Sequence, residues 1–265
     1  MDGSFLSDDQ VVAASREYVC IRLATYEDER EAEFLRRVFT GRSAELANTV
    51  FAILSADGTK PLVRAGRGPF FAFKDAADMA TQMQSLLTQH VRQRRALEHT
   101  ELPAFKDIEL GLNVAACDQL PLVVIGAADT LARRKLDEKL LPIAWDEPLA
   151  GQFIYAYATD KTSLAPIAGA LAEDGILLVE PGPFGMSGQV IERFAVSTTA
   201  FDLRRGMLRA IESRKPTPKD YQAHIRVGTD MGLDWETQVP VTDQHSVQAK
   251  ERYRAKRQTA KGTNR

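Results

Sequence analysis

Between Asn48 and Gly66 the sequence reads NTVFAILSADGTKPLVRAG, and this stretch restricts the fold more than any other. Thr49 to Leu54 is a β-rich apolar run, Asp57-Gly58 is a hairpin turn dipeptide, and Leu62 to Ala65 reads as a shorter return strand. A long amphipathic helix follows, capped by Asp75 and extending to about Glu98. Its inward positions are Met79, Met83, Leu86, Leu87 and Val91. The order strand, turn, strand, helix recurs from Ile176 to Ser213, and two such modules predict a mixed α/β chain.

The remaining elements follow from period and punctuation. Ser7-Asp8-Asp9-Gln10 predicts a capped helix to about Arg16, with Ser7 as the cap. Tyr18 to Ala24 (YVCIRLA) predicts a buried strand, and Glu27 to Phe39 a helix with Phe34, Leu35, Val38 and Phe39 inward. His99 to Asp107 reads as a linker. Leu110 to Ala116, Leu120 to Gly126 and Gln152 to Ala158 read as strands. Asp129 caps a helix ending at or before Pro142, and Ser163 to Ala172 reads as a short helix around Pro166. Ile176 to Glu180 and Gln189 to Ala195 form the second hairpin, and a last helix runs from about Thr199 to Ser213. Beyond Arg214 the apolar periodicity stops, and only His224 to Val227 and Thr237 to Val241 offer short strands. The last twenty residues are expected to be disordered or a frayed helix.

Composition narrows the function classes. A chain of 265 residues accommodates two domains and a tail. No apolar run reaches the roughly 18 residues of a membrane span, so no membrane partner is expected. The opening MDGSFLSDD lacks the basic and apolar regions of a signal peptide, and a cytoplasmic location is expected. Cys20 and Cys117 belong to no C-x-x-C pair, which fits a reducing compartment and excludes a cysteine-based zinc site. The net charge of −2 conceals an asymmetry: Ser246 to Arg265 holds seven cations and one anion, leaving the body acidic.

The order helix, strand, helix, hairpin, helix resembles the thioredoxin superfamily. SFLSDDQVV, YVCIRLATYEDE and TVFAILSADGTKPLVRAG resemble that family's helix after the redox turn, its buried strand and its antiparallel pair. LPLVVIG resembles the strand that leads into the redox turn, and ILLVEPGP with QVIERFA resembles the hairpin. The likeness covers about Met1 to Ser213. It implies an α/β fold of two thioredoxin-like modules, each a mixed sheet flanked by helices, with a partly disordered basic C-terminal tail. Residues 1–100 would be a degenerate module lacking the first strands, 105–213 a second module without the cysteine pair, and 214–265 a linker and basic tail.

The departures from the family are as informative. Its oxidoreductases place two cysteines at a helix N-terminus, where the dipole and exposed amides lower the first thiol's pKa. The matching stretch of the second module is Gly126 to Leu131, with no cysteine, and that of the first would fall just before Met1. The family's proline before the first hairpin strand is also missing, with Asn48 before Thr49 and Asp174-Gly175 before Ile176. The first module's sheet would lack its central strand, leaving buried backbone groups unpaired at roughly 1–3 kcal/mol each. The hairpin is expected to pair directly with Tyr18 to Ala24, His224 to Val227 being the best internal filler. A strand donated by another copy would make the protein an oligomer.

The resemblance therefore implies a non-catalytic protein-binding or scaffold module whose partner is a protein. The alternative is a thiol–disulfide oxidoreductase or redox-linked protein using Cys117, Cys20 or an upstream cysteine. As possible reactive thiols the two differ: Cys20 alternates with Val19 and Ile21 and reads as core, whereas Cys117 precedes Asp118 near an element end. His90, His99, His224 and His245 lack ligand spacing, so no metal or cofactor is expected. Arg67, Phe70 and Phe71, in GRGPFF, are a possible partner surface, the commoner reading being a turn whose aromatics pack under the helix. Arg252, Tyr253 and Arg254 interleave cations with an aromatic as possible tail contacts. A solvated terminus is the commoner reading of such a tail, and nucleic acid is not the expected partner.

Overall fold

A strand that shows no polar position to water must be covered on both faces, and Leu122–Gly126 (LVVIG) is such a strand in the computed structural model. The structure describes residues 5–23, 25–40, 45–47, 49–90, 101–127, 129–171, 175–214, 220–233, 237–242 and 244–262. It divides into one unit of Met1–Arg95 with Trp235–Arg265, and a second of Ala96–Asp234.

The second unit is built on a mixed sheet. Its strands are β1 (Ala104–Phe105), β2 (Leu122–Gly126), β3 (Ile154–Ala158), β4 (Ile167–Ala168), β5 (Gly175–Pro181) and β6 (Gly188–Ala195), in the spatial order β1-β3-β2-β5-β6-β4. β2 pairs in parallel with β3, from Leu122↔Ile154 to Gly126↔Ala158. On its other edge it pairs antiparallel with β5, from Leu122↔Val179 to Gly126↔Gly175. Period-two alternation sorts the side chains. Val123, Ile125, Tyr155, Ile176 and Leu178 share a core with Leu136, Leu140, Leu203 and Met207. Leu122, Val124, Ala156 and Val179 share another with Ile108, Leu112 and Ala115.

The helices covering these faces are α4 (Ile108–Asp118), α5 (Thr130–Ala144) and α6 (Ala200–Ser213). The Asp129 carboxylate accepts the Ala132 amide at 2.8 Å, so α5 starts where expected. It runs through Pro142 rather than stopping before it. The proline deletes one donor, and with only two helical residues beyond it the loss stays in the last turn.

Three expectations in this unit are corrected. Leu110 to Ala116 lies in α4 and is no strand. The Asp107 carboxylate, counted in the linker, accepts the Glu109 amide at 2.8 Å and starts the helix. Burial at Ile108, Leu112 and Ala115 then follows a helical period. Where a helix is expected over Ser163 to Ala172, the described residues hold a 3₁₀ turn, Thr162–Leu164, and then β4, while Ala172 lies outside them. The Pro166 carbonyl there accepts the Gly188 amide at 3.0 Å, which draws the segment onto β6. His224 to Val227 lies inside helix α7 (Tyr221–Asp230), started by Asp220, which accepts the amides of Gln222 and Ala223. It fills no sheet.

The first unit is helical with a hairpin. Helix α1 (Asp9–Ser15) is capped by Asp8, not Ser7, while α2 (Glu29–Val38) is capped by Asp28 and α3 (Ala76–Gln89) by Asp75. Residues 91–100, and with them Val91 and His99, lie outside the described residues. Phe51 and Gly66 exchange both backbone bonds, at 2.7 and 3.1 Å, and Gly58 takes φ +70° in the turn. The pairing forms two isolated bridges rather than full strands. Ile53, Phe73, Met79 and Met83 pack with Val11 and Ala14 beneath it.

Of the strand expected over Tyr18 to Ala24, Tyr18 to Leu23 forms none, and Ala24 lies outside the described residues. Val19 is 74% and Ile21 64% exposed, because among the described residues no strand lies beside them to pair with. The expected direct pairing with the hairpin is absent among the described residues. Thr237 to Val241 is also no strand: its buried Val239 donates its amide to the Tyr26 carbonyl at 2.8 Å. Of the two alternatives for the tail the structure has the helix, α8 (Gln244–Gly262).

Close approach sets a testable limit in α6. A Cβ on Gly206 would lie 2.3 Å from the Phe194 ring, which is itself buried. Gly206→Ala should therefore destabilise the second unit by about 1–3 kcal/mol, with the denaturation midpoint lowered and the slope unchanged.

Candidate functional site

The hairpin positions the residues of the candidate site. Its return strand presents Arg64 on the exposed side and ends at Gly66, which is buried and paired with Phe51. A Cβ on Gly66 would stand 2.9 Å from the Phe71 ring, so only glycine lets that ring fold back here. Pro69 then opens a 3₁₀ turn, Pro69–Phe71, from which Phe70 and Phe71 emerge 60% and 42% exposed. Their ring centroids are 4.5 Å apart, and the Arg64 guanidinium sits 6.0 Å from the Phe71 centroid.

These groups line a cleft of about 840 Å³ within the first unit. Its lining includes Arg64, Arg67 and Phe71, the apolar Phe39 and Leu46, and Glu45 and His245. Two arginines beside exposed aromatic surface suit an acidic group carried on an apolar anchor. Of the predicted surface, Arg67 and Phe71 enter the cleft while Phe70 is not among its lining. Arg64 went unremarked although it lies three residues before Arg67. His245 is far along the chain, and no sequence pattern ties it to the hairpin.

The other predicted residues are not among the lining of this cleft. Arg252 and Arg254 are exposed on α8, with Tyr253 half-buried between them. Cys20 is exposed, its Sγ 3.6 Å from the Ser15 carbonyl, which corrects the core reading. Without a strand on either side, nothing covers it. Cys117 is exposed in the last turn of α4, and neither cysteine is in a disulfide.

A second cluster had no sequence signal beyond its i,i+4 spacing. On α5, Asp137 accepts the Tyr157 hydroxyl at 3.1 Å, and the Arg133 guanidinium lies 5.0 Å from the Tyr157 ring centroid. Burial raises the Asp137 carboxyl above its usual range. Burial, and then the neighbouring Asp137 charge, pushes the Tyr157 phenol up to about 12. A phenol held protonated donates a hydrogen bond and takes no proton, so this cluster ties α5 to β3 rather than forming an acid–base pair.

The β2–α5 turn, Gly126 to Thr130, carries Asp129 as its cap and no thiol. Among the described residues no group of histidine, cysteine, aspartate and glutamate could hold a metal ion, and no helix is long and apolar enough to cross a membrane. Comparison with protein-family models, with curated proteins and with solved structures finds no match to this chain.

The turn of the hairpin should be acid-sensitive. Asp57 accepts from the Ser55 hydroxyl at 2.5 Å and from the Thr59 amide and hydroxyl at 3.1 and 2.8 Å. These bonds, the Ser55 hydroxyl first, hold its carboxyl down at about 2. The folded value is depressed, so the turn's contribution is complete above the ordinary carboxylate range and is lost as pH falls through about 2. A carboxyl NMR titration of Asp57 should show this low midpoint. Cys20 supplies a second test: exposed in native protein, its thiol should react with an aromatic disulfide reagent without prior unfolding. Slow reaction of Cys20 would restore it to a core.

Proposed function

We propose that this chain is a non-catalytic, thioredoxin-like protein that binds a protein partner. In the second unit the succession β1, α4, β2, α5, β3, β4, β5, β6, α6 supports this reading. So do the parallel pairing of β2 with β3 and its antiparallel pairing with β5. The observation that carries the non-catalytic part is the β2–α5 turn. A redox pair would stand there at the helix N-terminus, and Asp129 caps the helix instead. The cleft of Arg64, Arg67 and Phe71 serves as the contact surface, its cations meeting acidic groups of the partner.

One observation favours a second reading, thiol–disulfide exchange through Cys117 or Cys20: both thiols are exposed. Insulin reduction in dithiothreitol separates the two. The intact chain should give turnover no faster than dithiothreitol alone. Added turnover that disappears in Cys117→Ser or Cys20→Ser would replace the binding role with a redox one. The cleft has its own test. Immobilised wild-type chain and an Arg64→Glu, Arg67→Glu variant should retain different proteins, and identical retention would remove the cleft from the proposal.

A further inference from the structure

Helix α8 concentrates positive charge in a way that the sequence, taken as a loose tail, did not. Within Gln244–Gly262 stand six cations, Lys250, Arg252, Arg254, Lys256, Arg257 and Lys261, against the single anion Glu251. Lys250 and Arg254 stand four residues apart. At 3.6 residues per turn that step keeps both on one face of the helix. Arg252 and Arg254 are exposed and Lys250 is half-buried. A coil of this composition would be a solvated terminus. A helix holds its cationic positions in fixed register, so that several can meet a regularly charged partner at once.

The chemistry of the rest of α8 selects among anionic partners. A helix lying on a membrane surface needs a face of bulky apolar residues. Val247 and Tyr253 are the only large apolar residues in α8, the others being alanines. A protein interface needs buried aromatic or aliphatic anchors in its centre, and the same scarcity argues against one here. A nucleic-acid backbone needs only cations at workable spacing, because phosphate contacts position a protein without reading bases. Tyr253, set between Arg252 and Arg254, adds a ring on which an unpaired base can stack.

We infer that α8 is a nucleic-acid-binding helix that grips the phosphate backbone through the cationic positions of one face, independently of sequence. The remainder of the chain carries a net negative charge. It repels the same polyanion, leaving α8 as the approaching element and making binding strongly salt-dependent.

Fluorescence anisotropy with the full chain tests this, using labelled mixed-sequence single-stranded and duplex DNA of about 20 nucleotides or base pairs. Binding should be measurable at about 50 mM salt and fall linearly on logarithmic axes as salt rises towards about 200 mM. The Lys250→Gln, Arg254→Gln variant should bind at least about tenfold more weakly, with the slope reduced in magnitude by roughly 2, one step of about 0.9 per lost phosphate contact. Arg134→Gln, an exposed α5 cation, should match wild type. Tighter binding to the single strand, lost in Tyr253→Ala, would assign base stacking to Tyr253, whereas equal affinity for both DNAs would leave phosphate contact alone. Circular dichroism of the double variant should match wild type, because glutamine replaces lysine or arginine in a helix at little cost. Absence of binding to both DNAs at low salt would overturn the inference, as would an unchanged slope in the double variant. Equal competition by phosphatidylserine vesicles or by poly-glutamate would overturn it in favour of a membrane or an acidic protein.

Discussion

Strand β2 has neither a face nor an edge open to water, and the second unit depends on that enclosure. Leu122, Val123, Val124 and Ile125 are wholly buried. Burial of each such side chain is favourable by about 1.5–3 kcal/mol, but only if the backbone between them is paired. The parallel neighbour β3 supplies one row of bonds and the antiparallel β5 supplies the other. A parallel neighbour requires a crossover, which α5 provides on one face, while α4 covers the opposite face. The position of the β2–α5 turn, and of Asp129 within it, follows from this one strand.

The first unit shows what happens without such a strand. Tyr18 to Leu23 is as β-branched and apolar as many buried strands, yet its Val19 and Ile21 face water. Sheet formation is a property of neighbours, and an apolar segment with no partner cannot satisfy its backbone by itself. Cohesion here comes from α1 against α3, reinforced by the Tyr18 hydroxyl donating to the Met83 carbonyl at 2.6 Å. The hairpin over this core carries the cleft residues.

Local punctuation was legible in the sequence, and tertiary pairing was not. Asp75 and Asp129 marked helix starts correctly because a carboxylate before an apolar period satisfies exposed amides wherever the segment lies. Asp107 and Asp220 do the same, but ELGLNVAA and HIRV alternate enough to read as strands when their caps are assigned to linkers. The cleft was half-visible. Gly-Arg-Gly-Pro-Phe-Phe after a hairpin places one cation beside two aromatics, but their exposure and the approach of His245 and Phe39 depend on folding of distant segments. Cys20 was misplaced for the same reason as the strand around it.

The outer edge of the sheet has a consequence for how the chain behaves in a crowd. β4 covers only the first two residues of β6, at Ile167↔Gly188 and Ala168↔Gln189. Just beyond it the Arg193 guanidinium donates to the Gly169 carbonyl, and Glu192 is held by Arg209 at 2.5 Å. A foreign strand approaching this edge meets bound charges where it would need open backbone, and displacing them means breaking ionic contacts before any ladder forms. That edge is thereby guarded against strand addition by a few polar side chains, even though Ile191 stays in view of solvent.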